Sequence, residues 1–379
     1  MSYQRPNIID LFVGVGGFSL GALRAGFDLA LAVELDENAI SSHRLNFPNV
    51  KHLQDDIFSL DGKQLLSHAG VKTGELDGLI GGPPCQGFSS MGKRNVDDVR
   101  NNLFVKFFEL VSECKPLFFV AENVPGILTE QYADIRKKAL KYVEENYLSF
   151  EPIKLKASDF GAPTTRERVF FIGFLPGFVK PFSHEAFETR KVSKLTLVAD
   201  ALKGLPVKID RNWLTEEKSW RRVQPMPKSF FGIRVNNCIP KGVGDPEALS
   251  RYKKENMVSG CFGTRHNPEV AKRYGCLKPG QQDKVSKSVR LRLDGLCPTL
   301  RAGTGADQGS FQAVRPIHPT SSRVITPREA ARLQGFPDWF RFAPSKWQSF
   351  RQIGNSVSPI VAEILFDVIG NHLIFPSSE

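Results

Sequence analysis

Strand-like and helix-like apolar patterns alternate along the first 178 positions of the chain. Residues 7–13 form an apolar run that ends in glycines, and 17–25 follow with helical spacing. Residues 28–33 predict a second strand and 36–46 a second helix. Short β-rich runs at 76–80 and 117–121 flank a helical stretch at 98–113, and runs at 149–155 and 168–174 complete the series. Strands alternating with helices predict an α/β domain, a mainly parallel sheet covered on both faces.

From about residue 179 the periodicity is lost. Short apolar runs lie between turn signals such as Pro240-Lys241-Gly242 and Lys278-Pro279-Gly280, with no internal repeat or low-complexity tract. Helical order resumes at Thr326, placed to cap a helix with Pro327 in its first turn and Glu329 completing a capping box. Val357, Ile360, Val361, Ile364, Leu365 and Val368 form a helical stripe that needs a core. The α/β domain is the natural partner. The organisation expected is a catalytic and cofactor-binding domain over 1–178, an irregular smaller domain over 179–338 and a closing segment over 339–379.

A chain of 379 residues, 41% hydrophobic, can bury a substantial core. No stretch approaches the roughly 18 uninterrupted apolar residues of a membrane helix, and the N-terminus lacks a signal-peptide plan. A soluble, cytoplasmic protein is therefore expected. Of the six cysteines, Cys85, Cys114, Cys238, Cys261, Cys276 and Cys297, none are spaced C-x-x-C and no nearby histidine completes a metal-ligand pattern. Neither a disulfide framework nor a metal is expected. The net charge is +11, and residues 179–311 hold 25 Lys and Arg against 13 Asp and Glu, so this stretch supplies the entire excess. It predicts contact with a polyanion.

The candidate chemistry begins at Asp10-Leu11-Phe12-Val13-Gly14-Val15-Gly16-Gly17, a glycine-rich turn between a strand and a helix. With Glu34 at the end of the second strand to accept from a ribose, it suits a nucleoside or a dinucleotide equally. Gly81-Gly82-Pro83-Pro84-Cys85-Gln86-Gly87-Phe88-Ser89 is more specific: rigid glycines and prolines present a cysteine at the sheet edge, in the polar setting a thiolate nucleophile needs. This segment resembles the catalytic Pro-Cys motif of the C5-cytosine DNA methyltransferases, and the glycine turn resembles that family's first motif. Ala121-Glu122-Asn123-Val124 resembles its Glu-Asn-Val motif, and Thr164-Thr165-Arg166-Glu167-Arg168 its Arg-x-Arg motif. Residues 323–337 and Gln352-Ile353-Gly354-Asn355-Ser356-Val357 resemble its last two. The order is the family's, and the resemblance covers nearly the whole chain except the basic insert. One departure is Thr164, where the family usually has Gln.

The resemblance implies a Rossmann-like S-adenosylmethionine-dependent methyltransferase domain, with the basic insert as target-recognition domain. It implies that Cys85 attacks C6 of cytosine while Glu122, as a protonated acid, supports N3. Arg168 would hold the base's O2, Arg166 would support a loop or the active-site carboxylate, and Asn123 would orient the strand end. C5 must attack an electrophilic methyl group, which the sulfonium of S-adenosylmethionine supplies. Its implied contacts are Phe12, Gly14, Gly16, Gly17, Glu34, Asp56, Pro83, Leu103, Asn355 and Val357, with Asp55 competing with Asp56 for the adenine amine. For Leu103 and Val357 plain core packing is an equal reading. A thiolate cannot reach a stacked base, so the cytosine must be flipped out of duplex DNA. Ser89, Lys93 and Arg100 would contact phosphate or fill the gap, and Thr299, Leu300 and Arg301 would face DNA from the end of the insert. A monomer is expected, with a cognate restriction or other defence system as a possible companion. A nicotinamide oxidoreductase would share the glycine turn but has no use for Cys85 with Glu122-Asn123. A tRNA cytosine-5 methyltransferase of the same superfamily is the competing reading.

Overall fold

The computed structural model describes residues 5–84, 102–236, 239–302 and 315–374. Its centre is an eight-stranded sheet of β1 (Asn7–Leu11), β2 (Asp28–Val33), β3 (Lys51–Leu53), β4 (Gly78–Gly81), β5 (Phe118–Asn123), β6 (Leu148–Ser149), β7 (Ile153–Lys156) and β8 (Glu167–Phe174). The order is β3-β2-β1-β4-β5-β8-β6, with β7 also paired to β8. β1 to β5 are mutually parallel, as the alternating pattern predicts.

β8 runs antiparallel to β5, β6 and β7, so the sheet is mixed. The connection from β7 to β8, residues 157–166, is too short to carry a crossover helix, and only an antiparallel return fits it. The run expected as one strand over 149–155 is two, broken at Pro152, which has no N–H to give a ladder.

The described α-helices of this part are α1 (Gly17–Arg24), α2 (Glu37–Asn46), α3 (Gly62–Ala69), α4 (Asn102–Cys114) and α5 (Ala133–Leu140). Successive strand residues point to opposite faces. Ile8, Ile80, Phe118, Val120, Phe170 and Ile172 pack on one side, with Phe18 of α1. Ile9, Leu11, Leu79, Phe119, Ala121 and Phe171 pack on the other, with Phe104, Phe107 and Phe108 of α4.

Beyond β8 the described helices are α6 (Glu185–Glu188), α7 (Val198–Leu202), α8 (Phe230–Asn236), α9 (Pro246–Glu255), α10 (Pro268–Gly275), α11 (Pro327–Gln334), α12 (Lys346–Asn355) and α13 (Pro359–His372). A two-stranded ladder pairs β9 (Arg221–Arg222) with β10 (Met257–Val258). The apolar stripe expected to need a core is α13, and it packs on α1. The contact is close: a Cβ on Gly21 would lie 2.2 Å from that of Ala362. The apolar stretch over residues 346–372 is thereby largely covered by protein. Val198, Val223, Phe231 and Val258 of the insert join the same apolar cluster as α11 and α13.

α11 is buried along its whole length. Thr326 caps it, and Glu329 returns the bond to the Thr326 N–H at 2.7 Å, the predicted capping box. Arg332 grips Asp338 through Nε and Nη2, both at 2.7 Å. Arg328 donates to the carbonyls of Ser259, Pro337 and Phe340 at 2.7–2.8 Å.

Candidate active site

The site lies at the carboxyl ends of β1, β2, β4 and β5, where an open α/β sheet leaves room for a ligand. β1 ends at Leu11, and the chain turns through Phe12 and Gly14 at φ +60° and +57°, then Gly16 at +97°. Left-handed backbone strains a phenylalanine, so Phe12 marks a place where tertiary structure overrides local preference.

The three glycines named as cofactor contacts have different reasons to be glycine. A Cβ on Gly14 would meet nothing within 4 Å, so that turn faces open space. A Cβ on Gly16 would strike Phe47 at 2.4 Å and His43 at 2.8 Å, and one on Gly17 would strike Ser356 Oγ at 2.1 Å and the Val357 carbonyl at 2.3 Å. Gly16 and Gly17 therefore admit protein, and Gly14 faces the opening.

Glu34 closes the turn from the end of β2. Its Oε2 accepts from the Gly14 N–H and its Oε1 from the Asp36 N–H, both at 2.9 Å. Burial raises its pKa, against the pull of these amides. Asp56 is exposed and uses Oδ1 to cap the 3₁₀ turn Ile57–Ser59, whereas Asp55 commits Oδ1 to both the Asp56 N–H and the Ser59 hydroxyl. Phe12 is half-buried and packs on the same side of the sheet as Leu53. Leu103 is half-buried in the first turn of α4, and Pro83 is buried. Val357 is 6% exposed and its side chain belongs to the core, whereas Asn355 ends α12 exposed.

Glu122 and Asn123 end β5. In the antiparallel register Glu122 stands opposite Phe170, so Arg168 is its diagonal neighbour on the same face. Arg168 Nε lies 2.6 Å from Glu122 Oε1, with both side chains largely buried. The pair is an ion pair by distance, yet Oε1 has no well-aligned hydrogen bond among the described residues. Gly82 lies against the other oxygen: a Cβ there would be 3.1 Å from Oε2. Asn123 Oδ1 accepts from the Val124 N–H at 2.9 Å, and its Nδ2 reaches toward the Pro83 carbonyl at 3.5 Å.

Arg166 has a different task from Arg168. It is 2% exposed and donates to the carbonyls of Leu300 at 3.2 Å and Asn355 at 3.3 Å, so it supports loops. The end of the insert reaches the site through these bonds. Cys297 also bridges residues 163–165 through backbone bonds of 2.9 Å to Pro163 and Thr165. Thr164, where the family has Gln, is fully buried, and its hydroxyl has no partner among the described residues. Thr299 is half-buried, Leu300 has its side chain in the core, and Arg301 is exposed. Cys85, Ser89, Lys93 and Arg100 lie outside the described residues.

The glycine turn after β1, Glu122 and Asn123 at the end of β5 and Arg168 at the start of β8 lie along one edge of the sheet. The sequence model of the C-5 cytosine-specific DNA methylases matches residues 6–371. The chain belongs to that family. Among curated members it is 37% identical to the type II methyltransferase M.XorII of Xanthomonas oryzae pv. oryzae, over 94% of this chain and 83% of that protein. It is 34% identical to M.DdeI of Desulfomicrobium norvegicum, over 96% and 88%. A prophage-encoded E. coli protein described as a DNA modification methyltransferase superposes with a TM-score of 0.87 at 50% identity, over 97% of this chain and 99% of that one. The Dnmt2 methyltransferase of S. pombe shares the fold, with a TM-score of 0.62 at 17% identity. The C-5 cytosine DNA methylase is thus a Rossmann-like α/β enzyme of the DNA cytosine-5-methyltransferase class. Among the described residues no group of His, Cys, Asp and Glu could hold a metal ion.

Sequence reading missed the residues beneath the glycine turn. Ser19 of α1 and His43 of α2 are fully buried side by side against Asp10. Only the packing of α1 and α2 on β1 brings them together.

Proposed function

We propose that this enzyme methylates C5 of a cytosine flipped out of a specific duplex DNA sequence, with S-adenosylmethionine as donor and Cys85 as nucleophile. The observation that carries the reading is the convergence at one sheet edge of the open Gly14 turn, the Gly82-Pro83 backbone that leads into Cys85, and the Glu122–Arg168 pair. The turn fits a nucleoside: Gly14 offers open space, Glu34 brings acceptors to its rim, and Asp56 stands exposed beyond it. Phe12, Gly14, Glu34, Asp56, Pro83, Leu103 and Asn355 would hold the donor, with Gly16, Gly17 and Val357 shaping the floor. When bound, S-adenosylmethionine supplies an electrophilic methyl group.

The chain's own residues do the rest. The Cys85 thiolate adds to C6 and makes C5 nucleophilic. Arg168 turns from Glu122 toward the base's O2, and Glu122 shares a proton with N3 as charge enters the ring. Asn123 keeps the end of β5 against Pro83, and Arg166 keeps residues 300 and 355 at the rim. C5 takes the methyl group and for a moment carries it beside its own proton; that proton passes to water as the C5–C6 double bond re-forms and the Cys85 thiolate is expelled. Ser89, Lys93 and Arg100 would face the DNA from the Cys85 side, and Thr299, Leu300 and Arg301 from the insert, with Leu300 acting through its backbone. The segment 179–338 would read the DNA word. A cognate restriction system is the corresponding proposal for a partner, supported by the type II relatives.

The test is methyl transfer from labelled S-adenosylmethionine into equal amounts of genomic DNA and total tRNA, followed by bisulfite sequencing. Label in DNA at one short recurring word is expected. Label chiefly in tRNA overturns the substrate. Cys85→Ser should abolish transfer while retaining donor binding, and a variant within about tenfold of wild type would refute the nucleophile.

A further inference from the structure

Helix α12 stands between the basic insert and the donor turn, and it presents a different face to each. Lys346, Phe350 and Gly354 are spaced four apart and lie along one side of it. Each receives a separate part of the insert. Lys346 Nζ donates to the Gly263 carbonyl at 2.8 Å and to the Thr264 hydroxyl. The Arg315 guanidinium lies over the Phe350 ring, 4.1 Å from its centroid. Gly354 meets main chain: a Cβ there would be 2.5 Å from both the Ala302 nitrogen and the Arg301 carbonyl carbon.

The other side of the helix belongs to the donor turn. Arg351 Nη1 donates to Asp36 Oδ2 at 2.5 Å. Gln352 Nε2 donates to the Asn38 carbonyl and the Ser42 hydroxyl of α2, both at 2.9 Å. Asp36 caps α2 with its second oxygen, and its N–H donates to Glu34 Oε1. Glu34 Oε2 in turn holds the Gly14 N–H. One ion pair therefore joins α12 to the carboxylate at the rim of the turn. Arg351 also offsets the Asp36 charge, which opposes the ionisation of Glu34. From Lys346 to Gly354 the helix runs about 12 Å, a single stiff piece whose two faces move together.

We propose that α12 couples the DNA-reading insert to the donor site, with Arg351 as the positioning residue that carries the seating of the insert through Asp36 to Glu34. The inference rests on the reading that the turn binds S-adenosylmethionine and the insert binds duplex DNA. Each ligand orders one face of the same helix, so the second finds it already in place and binds more tightly. The effect is reciprocal: duplex tightens the donor by the factor by which the donor tightens duplex.

The test is calorimetric titration of the full chain with S-adenosylhomocysteine, alone and with a saturating short duplex that carries the word found by bisulfite sequencing. In wild type the duplex should tighten S-adenosylhomocysteine by about tenfold. Arg351→Met should weaken binding to the free enzyme by about threefold and shrink the duplex effect to about twofold or less. Arg351→Lys, which keeps a charge for Asp36, should restore most of that effect. Phe350→Leu acts from the insert face and should reduce the duplex effect to about half or less, while donor affinity of the free enzyme stays within about twofold. Arg351 has 36% of its side chain exposed, so its replacement leaves the core intact. Thermal melts check each variant, and Phe350→Leu reads the same ratio if Arg351→Met unfolds. A merely structural role for Arg351 weakens the donor equally with and without duplex. A full duplex effect in Arg351→Met or in Phe350→Leu therefore overturns the coupling, as does a wild-type ratio near one, and both sites then stand. Absence of S-adenosylhomocysteine binding in wild type overturns the donor reading, absence of duplex binding overturns that of the insert, and the coupling falls with either.

Discussion

The sheet and the basic insert hold their loops in place by different physics. Strands β1 to β5 and β8 share backbone ladders, so the site side chains at their ends inherit positions from register. Within the insert the described strands are two residues each, and besides its share of the apolar core it is tied by buried arginines of residues 323–332. Arg323, Arg328 and Arg332 reach back to the carbonyls of Val207, Ser259, Ala201 and Lys203. A guanidinium offers five donors in a fixed plane and can tie several irregular segments at once. The comparison divides the basic residues into two kinds. Arg323, Arg328 and Arg332 clasp the insert from α11 and its approach, and Arg290 clasps it from within through the carbonyls of Tyr274, Gly275 and Leu277, whereas Arg222, Lys228, Lys241, Lys272, Lys284 and Arg292 are exposed, where a polyanion can reach them.

The largest expected effect breaks the clasp. Arg332→Met leaves Asp338 buried without its ion-pair partner and should cost about 3–5 kcal/mol, read from urea unfolding and from faster proteolysis within 179–326. A loss below about 1 kcal/mol would mean that apolar packing alone holds the insert. Arg168→Met removes the counterpart pair at the sheet edge. Methyl transfer should fall by about 100-fold or more while the unfolding midpoint moves less than in Arg332→Met, because the strand ladder remains. An equal loss of stability in both would erase the distinction.

Smaller effects sharpen it within the glycine turn. Gly17→Ala should cost about 1–3 kcal/mol of stability, since its Cβ meets the Val357 carbonyl, which cannot move aside as a flexible side chain would. Gly14→Ala has room and should cost about 1 kcal/mol through its left-handed φ, while weakening donor binding more than Gly17→Ala does relative to its stability loss. Parallel melts and donor titrations separate the two. Thr326→Ala removes the cap of α11 and should cost about 1 kcal/mol, with no change in donor affinity.

Much of the scaffold was legible because it is local. The capping box at Thr326 and Glu329 is three residues of geometry, and the stripe ending in Val368 needs only a helix to bury it. The same signal was present and unread at Asp61 and Gln64, which cap α3. β3, at three residues, is too short for alternation to register. The mixed sheet was not legible from pattern, since alternation assigns side chains to faces but gives no strand direction.

The sequence by itself determined the family and the strand–helix alternation, and it named candidate site residues by motif, because each depends on residue types at short, fixed spacing. Tertiary structure alone decided that Arg168 pairs with Glu122 while Arg166 holds residues 300 and 355, that Gly14 faces space while Gly16 and Gly17 face protein, and that Asp10, Ser19 and His43 lie side by side. Those facts depend on register and packing between segments far apart in sequence. A one-residue shift of β8 would turn Arg168 to the other face without changing a letter of its motif.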